Sequence, residues 1–148
     1  VESNTKINVY VDMVCDLFHS NHINFIKKAI EVGKEKYIQS DVNLIVGIHD
    51  DETITEYKNA PVMTLEERVP VVESCRYVHK VISAAPTVIT EEFIKEHEID
   101  LVVHAHSVEE DDKYNYQHAV PKKLGIFKRI DYCEGITSTE IKERIKND

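Results

Sequence analysis

The chain has 148 residues, 42% of them apolar and 30% charged, with only four glycines and four prolines. That composition excludes a disordered or fibrous polypeptide and suffices for one domain, residues 1–148, with its own core. Eighteen basic against 27 acidic residues give a formal charge of −9, which argues against a general nucleic-acid binder and against adsorption on anionic lipid. An anionic small ligand stays compatible, because a few cationic groups can reverse the sign inside one cleft.

Strand-like and helix-like segments alternate along the chain. Residues 7–12 form a short β-branched run, and residues 22–38 carry Ile23, Ile26 and Ile30 at helical spacing. Residues 43–48 (NLIVGI) predict a strand buried on both faces. Thr64 and Glu67 make a capping box that opens a second helix through Cys75, with Pro70 removing one of its hydrogen bonds. Residues 78–83 predict a third strand, residues 90–97 a helix, and residues 99–104 a fourth strand. The acidic run from Glu109 to Asp112 reads as a solvated start to a helix ending near Gly125. A fifth strand follows at residues 126–130, then a second capping box, Thr137 to Glu140, before a closing helix. Five strands alternating with helices predict an α/β fold, Rossmann-like, with a parallel five-stranded sheet and helices on both faces. Ligands of such sheets bind outside the strand carboxyl ends, at the switch point in strand order.

Cys15, Cys75 and Cys133 are odd in number, far apart and without zinc-type spacing, so reduced thiols are expected. The first residues lack the basic and apolar regions of a secretory signal, and no window has the roughly 20 apolar residues a membrane span needs. A cytoplasmic location and no membrane segment are expected.

Three polar clusters follow strands and would converge at one sheet edge. His19-Ser20-Asn21-His22 follows the first strand, His104-Ala105-His106 closes the fourth, and the segment from Glu134 to Thr139 follows the fifth. A glycine, then hydroxyl residues, then a helix start suits phosphate, although an ordinary capped helix has the same local sequence. His19 and His22, three apart, read as a metal pair or as two surface histidines; His104 or His106 could complete a zinc set, the less favoured reading. Asp50, Asp51 and Glu52 read as a solvated helix cap rather than a metal cluster.

Together DMVCDLFHSNH, CRYVHKVI and EGITSTEI resemble the cytidylyltransferase family, whose marks are H-x-G-H after the first strand, R-Y-V, and I-S-T-S/T at the last helix. The resemblance spans nearly the whole chain and points to the enzymes acting on phosphoethanolamine, phosphocholine and related phosphonates. It implies CTP-dependent cytidylyl transfer to a small phospho-alcohol, in phospholipid biosynthesis, by a homodimer that binds no nucleic acid. It implies catalytic roles for His19, His22 and Lys58. It places Asp12, Met13, Val14, Arg76, His104, Gly135, Ile136, Thr137, Ser138 and Thr139 on the nucleotide side, although Met13 and Val14 by themselves read as core. The implied cofactor is Mg²⁺ carried on phosphates, with no protein-held metal.

The chain departs from the family pattern at four places. Asn21 stands for the motif glycine, Tyr132-Cys133 for a basic residue before the last motif, His79-Lys80 for two acids after R-Y-V, and Ala105-His106 for strand-four acids. Thr87 stands where choline-type relatives carry an aromatic after Ala-Pro. These differences favour phosphoethanolamine over phosphocholine; the alternatives are a glycerol-3-phosphate or phosphonate substrate, or a nucleotide-binding protein without catalysis.

Overall fold

The computed structural model describes residues 5–56 and 58–148. In chain order it contains β1 (Thr5–Met13), α1 (Ser20–Lys36), β2 (Ser40–Ile48), α2 (Asp51–Thr55) and α3 (Leu65–Glu73). Then come β3 (Lys80–Ser83), α4 (Glu91–Glu96), β4 (Leu101–Ala105), a 3-10 turn (Asp111–Tyr114), α5 (Asn115–Lys123), β5 (Phe127–Ile130) and α6 (Ser138–Lys146). All five strands are parallel, in the order β3-β2-β1-β4-β5. The chain thus winds outward from β1 in both directions, and the switch point falls between β1 and β4.

The two faces of β1 follow its alternation. Ile7, Val9 and Val11 face one side, where they join Ile26, Ala29 and Val32 of α1 and Val72 of α3. Tyr10 faces the other side with Ile45 and Val102, against Ile94 and Phe93 of α4 and Val120 of α5. Helices therefore cover both faces, as the pattern predicts. A Cβ on Gly47 would collide with the Tyr10 hydroxyl and approach Ala85 Cβ to 2.8 Å, so this strand crossing requires glycine.

Several local predictions are refined. Thr64 and Glu67 form the full capping box on α3, whereas Thr137 makes only the forward bond, accepting from Glu140 N–H at 3.1 Å. The helix α3 continues through Pro70. Asp50 caps the short α2, accepting from Thr53 N–H at 2.7 Å, but Asp51 is more than a solvated cap. It accepts at 2.6 Å from Arg68, a fully buried guanidinium that also donates to the carbonyls of Val14 and Met63. The acidic run is likewise only partly solvated: Asp111 binds His106 at 2.7 Å and Lys122 at 2.9 Å, while Glu110 accepts from the Tyr132 hydroxyl at 2.8 Å. All three cysteines are free thiols. Among the described residues no helix is long and apolar enough to cross a membrane.

Candidate active site

Between β1 and α1 the chain makes a tight loop in which Cys15 and Leu17 take left-handed backbone angles (φ 58° and 52°). Non-glycine residues rarely adopt that geometry, and such strain concentrates at functional sites. The loop opens a cleft of about 990 Å³ at the strand carboxyl edge. Met13, Val14, His19 and His22 line it on one side. Ile136 to Thr139, Lys142 and Tyr132 line it on another, and Thr55, Glu56 and Lys58 form its lip.

The two histidines form a capping box of their own. His19 is the N-cap of α1, and its Nδ1 accepts from Asn21 N–H at 3.2 Å; His22 Nδ1 accepts from His19 N–H at 3.0 Å. Accepting at Nδ1 fixes the tautomer, so each unprotonated ring carries its hydrogen on Nε2. The rings stack with centroids 3.8 Å apart, and Phe18 stacks on His22 at 5.3 Å. Burial pushes His22 down to about 4, helped by His19, and also lowers His19. Near neutral pH both are therefore uncharged N–H donors.

Opposite them lies the start of α6. Ser138 Oγ donates to the Asp16 carbonyl at 2.8 Å, which leaves it as acceptor for His19 Nε2–H at 3.4 Å. Asp16, almost wholly buried, accepts from the backbone N–H groups of Val62 and Met63 and lies 3.8 Å from Lys142 Nζ. One carboxylate thus ties the loop after β1 to the far end of the Lys58 segment and to α6. Lys58 is exposed; partial desolvation, then the fields of Lys113 and Lys142, lower its pKa.

Asn21 does not need the left-handed geometry expected of a motif glycine. It sits in the first turn of α1, and its amide donates to the Cys133 carbonyl at 3.0 Å. The accommodating glycine is Gly135 (φ 147°), where a Cβ would lie 3.0 Å from Asn21 Oδ1.

Other expected site residues fall elsewhere. Gly135 lies in the loop before α6 and is not itself among the lining residues. Asp12 and His104 turn away from the cleft, which sees their neighbours Met13 and Ala105. Asp12 lies 3.5 Å from His49 and 3.9 Å from His104. Arg76 precedes β3, remote from the strand carboxyl ends, and its exposed guanidinium meets Tyr77. His106 is fully buried and meets His104 and Asp111 rather than His19 or His22. Sequence reasoning missed Lys142 and Asp16. Lys142 stands four residues after Ser138, one helical turn along the same face of α6, which is the available signal; Asp16 has no local one.

The fold and the cleft place this chain in the Rossmann-like α/β class, with its ligand edge at the switch point. Residues 14–144 match the Cytidylyltransferase-like family, and the chain belongs to it. It is 40% identical over 151 residues to the ethanolamine-phosphate cytidylyltransferase of Dictyostelium discoideum, covering 96% of this chain and 38% of the relative. It is 36% identical to the choline-phosphate cytidylyltransferase A of Homo sapiens, covering 96% of this chain and 37% of the relative. The chain thus spans little more than a third of those relatives. A solved structure, the lipopolysaccharide core biosynthesis protein from Thermoplasma volcanium GSS1, superposes with a TM-score of 0.65 at 20% identity, covering 86% of this chain and 98% of that one; this likeness is one of fold.

Proposed function

We propose that this domain transfers the cytidylyl group of CTP to a small phosphorylated amino-alcohol, with phosphoethanolamine preferred. The observation that carries the reading is the pair of Nε2–H donors locked at the start of α1 and facing the start of α6. A phosphate oxygen of the acceptor attacks the α-phosphorus of CTP in line. A new P–O bond forms, the bond to the β-phosphate breaks, and pyrophosphate leaves. The nucleophile is already an anion, so the protein's work is positioning and charge neutralisation.

His19 and His22 donate to phosphate oxygens without adding net charge, and the first N–H groups of α6 with Lys142 hold the polyphosphate. Lys58, on the lip, supplies charge where the two substrates meet. The residues present suit Mg²⁺ carried on phosphate oxygens. Of the carboxylates lining the cleft, Asp16 has both oxygens engaged by backbone N–H groups, leaving Glu56, at the end of α2, to meet the ion. Bound there, Mg²⁺ would neutralise charge on the leaving pyrophosphate. A homodimer and a cytoplasmic setting belong to the same reading, by likeness to the family.

The head-group preference rests on the cleft walls. Beyond histidine, their aromatic side chains among the described residues are Phe25 and Tyr132, and the Tyr132 hydroxyl is committed to Glu110. That is too little for the aromatic cage a quaternary ammonium requires, whereas a primary ammonium needs only acceptors. Incubation with CTP, Mg²⁺ and a panel of phospho-alcohols, followed by pyrophosphate release, tests the reading. Turnover of phosphoethanolamine ahead of phosphocholine is expected; CTP binding without turnover across the panel would leave a binding protein instead.

A further inference from the structure

Among the described residues, two lysines line the cleft, Lys58 on its lip and Lys142 on the wall built by α6. With His19 and His22 uncharged near neutral pH, these lysines are the cations of that lining. Lys142 stands four residues after Ser138, and a long helical side chain runs back over the preceding turn, toward the helix start. Its Nζ accordingly lies 3.8 Å from Asp16 Oδ2, on the residue whose carbonyl accepts from Ser138 Oγ at 2.8 Å. Ser138 Oγ lies in turn 3.4 Å from His19 Nε2. The ammonium, the hydroxyl and the imidazole donor thus follow one another around a single residue of the loop after β1.

Asp16 holds this ammonium in place without consuming it. Its carboxylate oxygens already accept from the N–H groups of Val62 and Met63 at 2.8 and 2.9 Å, and 3.8 Å is near the outer limit of an ion pair. A lysine that served only to neutralise Asp16 would close to about 2.7–2.9 Å. The carboxylate is almost wholly buried, whereas the Lys142 side chain keeps 34% of its surface exposed. A phosphate oxygen in the cleft, with lone pairs to spare, is therefore a better partner for Nζ than the carboxylate beside it.

In-line transfer sets the entering and leaving oxygens on opposite sides of the α-phosphorus. Lys58 follows α2 and Lys142 lies on α6, so the two cations stand on different walls, yet the field of Lys142 helps lower the Lys58 pKa, so both face one space. When the bond from the α-phosphorus to the bridging oxygen breaks, its electron pair stays on that oxygen, and pyrophosphate gains one negative charge. With Lys58 where the two substrates meet, this charge develops on the α6 side. We propose that Lys142 is the leaving-group cation: its ammonium moves from Asp16 to the β- and γ-phosphates of CTP and neutralises the charge that builds as pyrophosphate departs. Asp16 is the positioning residue that holds Nζ ready before the nucleotide arrives. This assignment rests on the cytidylyl-transfer reading and specifies its leaving side.

Lys142→Met keeps the apolar stem and removes the charge, and Lys142→Arg keeps the charge. Calorimetric titrations with CTP, pyrophosphate and CMP, each with Mg²⁺ present, separate the leaving part of the nucleotide from the rest. Lys142→Met should bind CTP and pyrophosphate ~10–100-fold more weakly than wild type, bind CMP as wild type does, and turn over at least ~10-fold more slowly. Lys142→Arg should recover most of the loss, and both variants should keep the wild-type unfolding midpoint in urea. Unchanged pyrophosphate affinity in Lys142→Met, or CMP affinity falling in parallel, would overturn the assignment and leave cytidylyl transfer standing. Wild-type protein that binds neither CTP nor pyrophosphate would overturn both.

Discussion

His22 does two jobs with two nitrogens, and substitution can separate them. Its Nδ1 accepts the His19 backbone N–H at 3.0 Å, closing the capping box of α1, while Nε2–H is the donor offered to the cleft. His22→Asn places an amide oxygen near the position of Nδ1 and removes the distal donor. His22→Gln places an amide N–H near the position of Nε2 and loses the cap. A lost cap costs about 1 kcal/mol. With a urea m-value of about 2 kcal/mol/M, the unfolding midpoint should fall by roughly 0.5 M in the glutamine variant and remain near wild type in the asparagine variant. Loss of a preorganised donor costs about 2.7–4 kcal/mol in the transition state, or 10²–10³ in kcat. The asparagine variant should therefore be stable and slow, and the glutamine variant less stable and faster than its asparagine counterpart. Parallel urea melts and pyrophosphate-release assays give both numbers. Turnover that follows stability across the two variants would refute a donor role for Nε2.

Lys58→Ala should cut turnover by ~10² or more with a stability change under about 0.5 kcal/mol, because the residue lies exposed on the cleft lip; an equal loss of stability in a urea melt would assign it to structure. Arg68→Met should cost about 3–5 kcal/mol in the same melt, since it leaves the Val14 and Met63 carbonyls unpaired and removes the Asp51 partner; a loss below about 1 kcal/mol would contradict that. Stability should fall as pH drops from about 6.5 toward 4, because the unfolded chain then takes up protons that His22 and His118, both near 4 when folded, refuse. Each contributes up to about 1.4 kcal/mol per pH unit in that window and its full effect above it. His22→Asn should flatten the melt-versus-pH curve, and an unchanged slope would show that the folded ring titrates normally.

The features readable along the linear chain are those that local physics encodes. Hydrophobic runs, two capping patterns and their spacing specify five strands and the helices between them, and the handedness of parallel crossovers then leaves few topologies. The same local patterns placed His19, His22 and the segment from Ile136 to Thr139 at helix starts, but locally they read equally as ordinary caps or surface histidines, and only the resemblance to the family gave them phosphate roles. Tertiary structure alone decided which side of the sheet each neighbour faces. Met13 lines the cleft while Asp12 meets the imidazoles of His49 and His104, and Ala105 lines it while His104 does not. His118 joins Asp12 and His104 from a helix more than a dozen residues beyond His104, a distance no local pattern carries. Asp16 and Arg68 have no signal in the linear chain either. Asp16 binds N–H groups 46 and 47 residues away, and Arg68 reaches the Val14 carbonyl 54 residues away and Asp51 17 away, bonds that exist only once the loops have met.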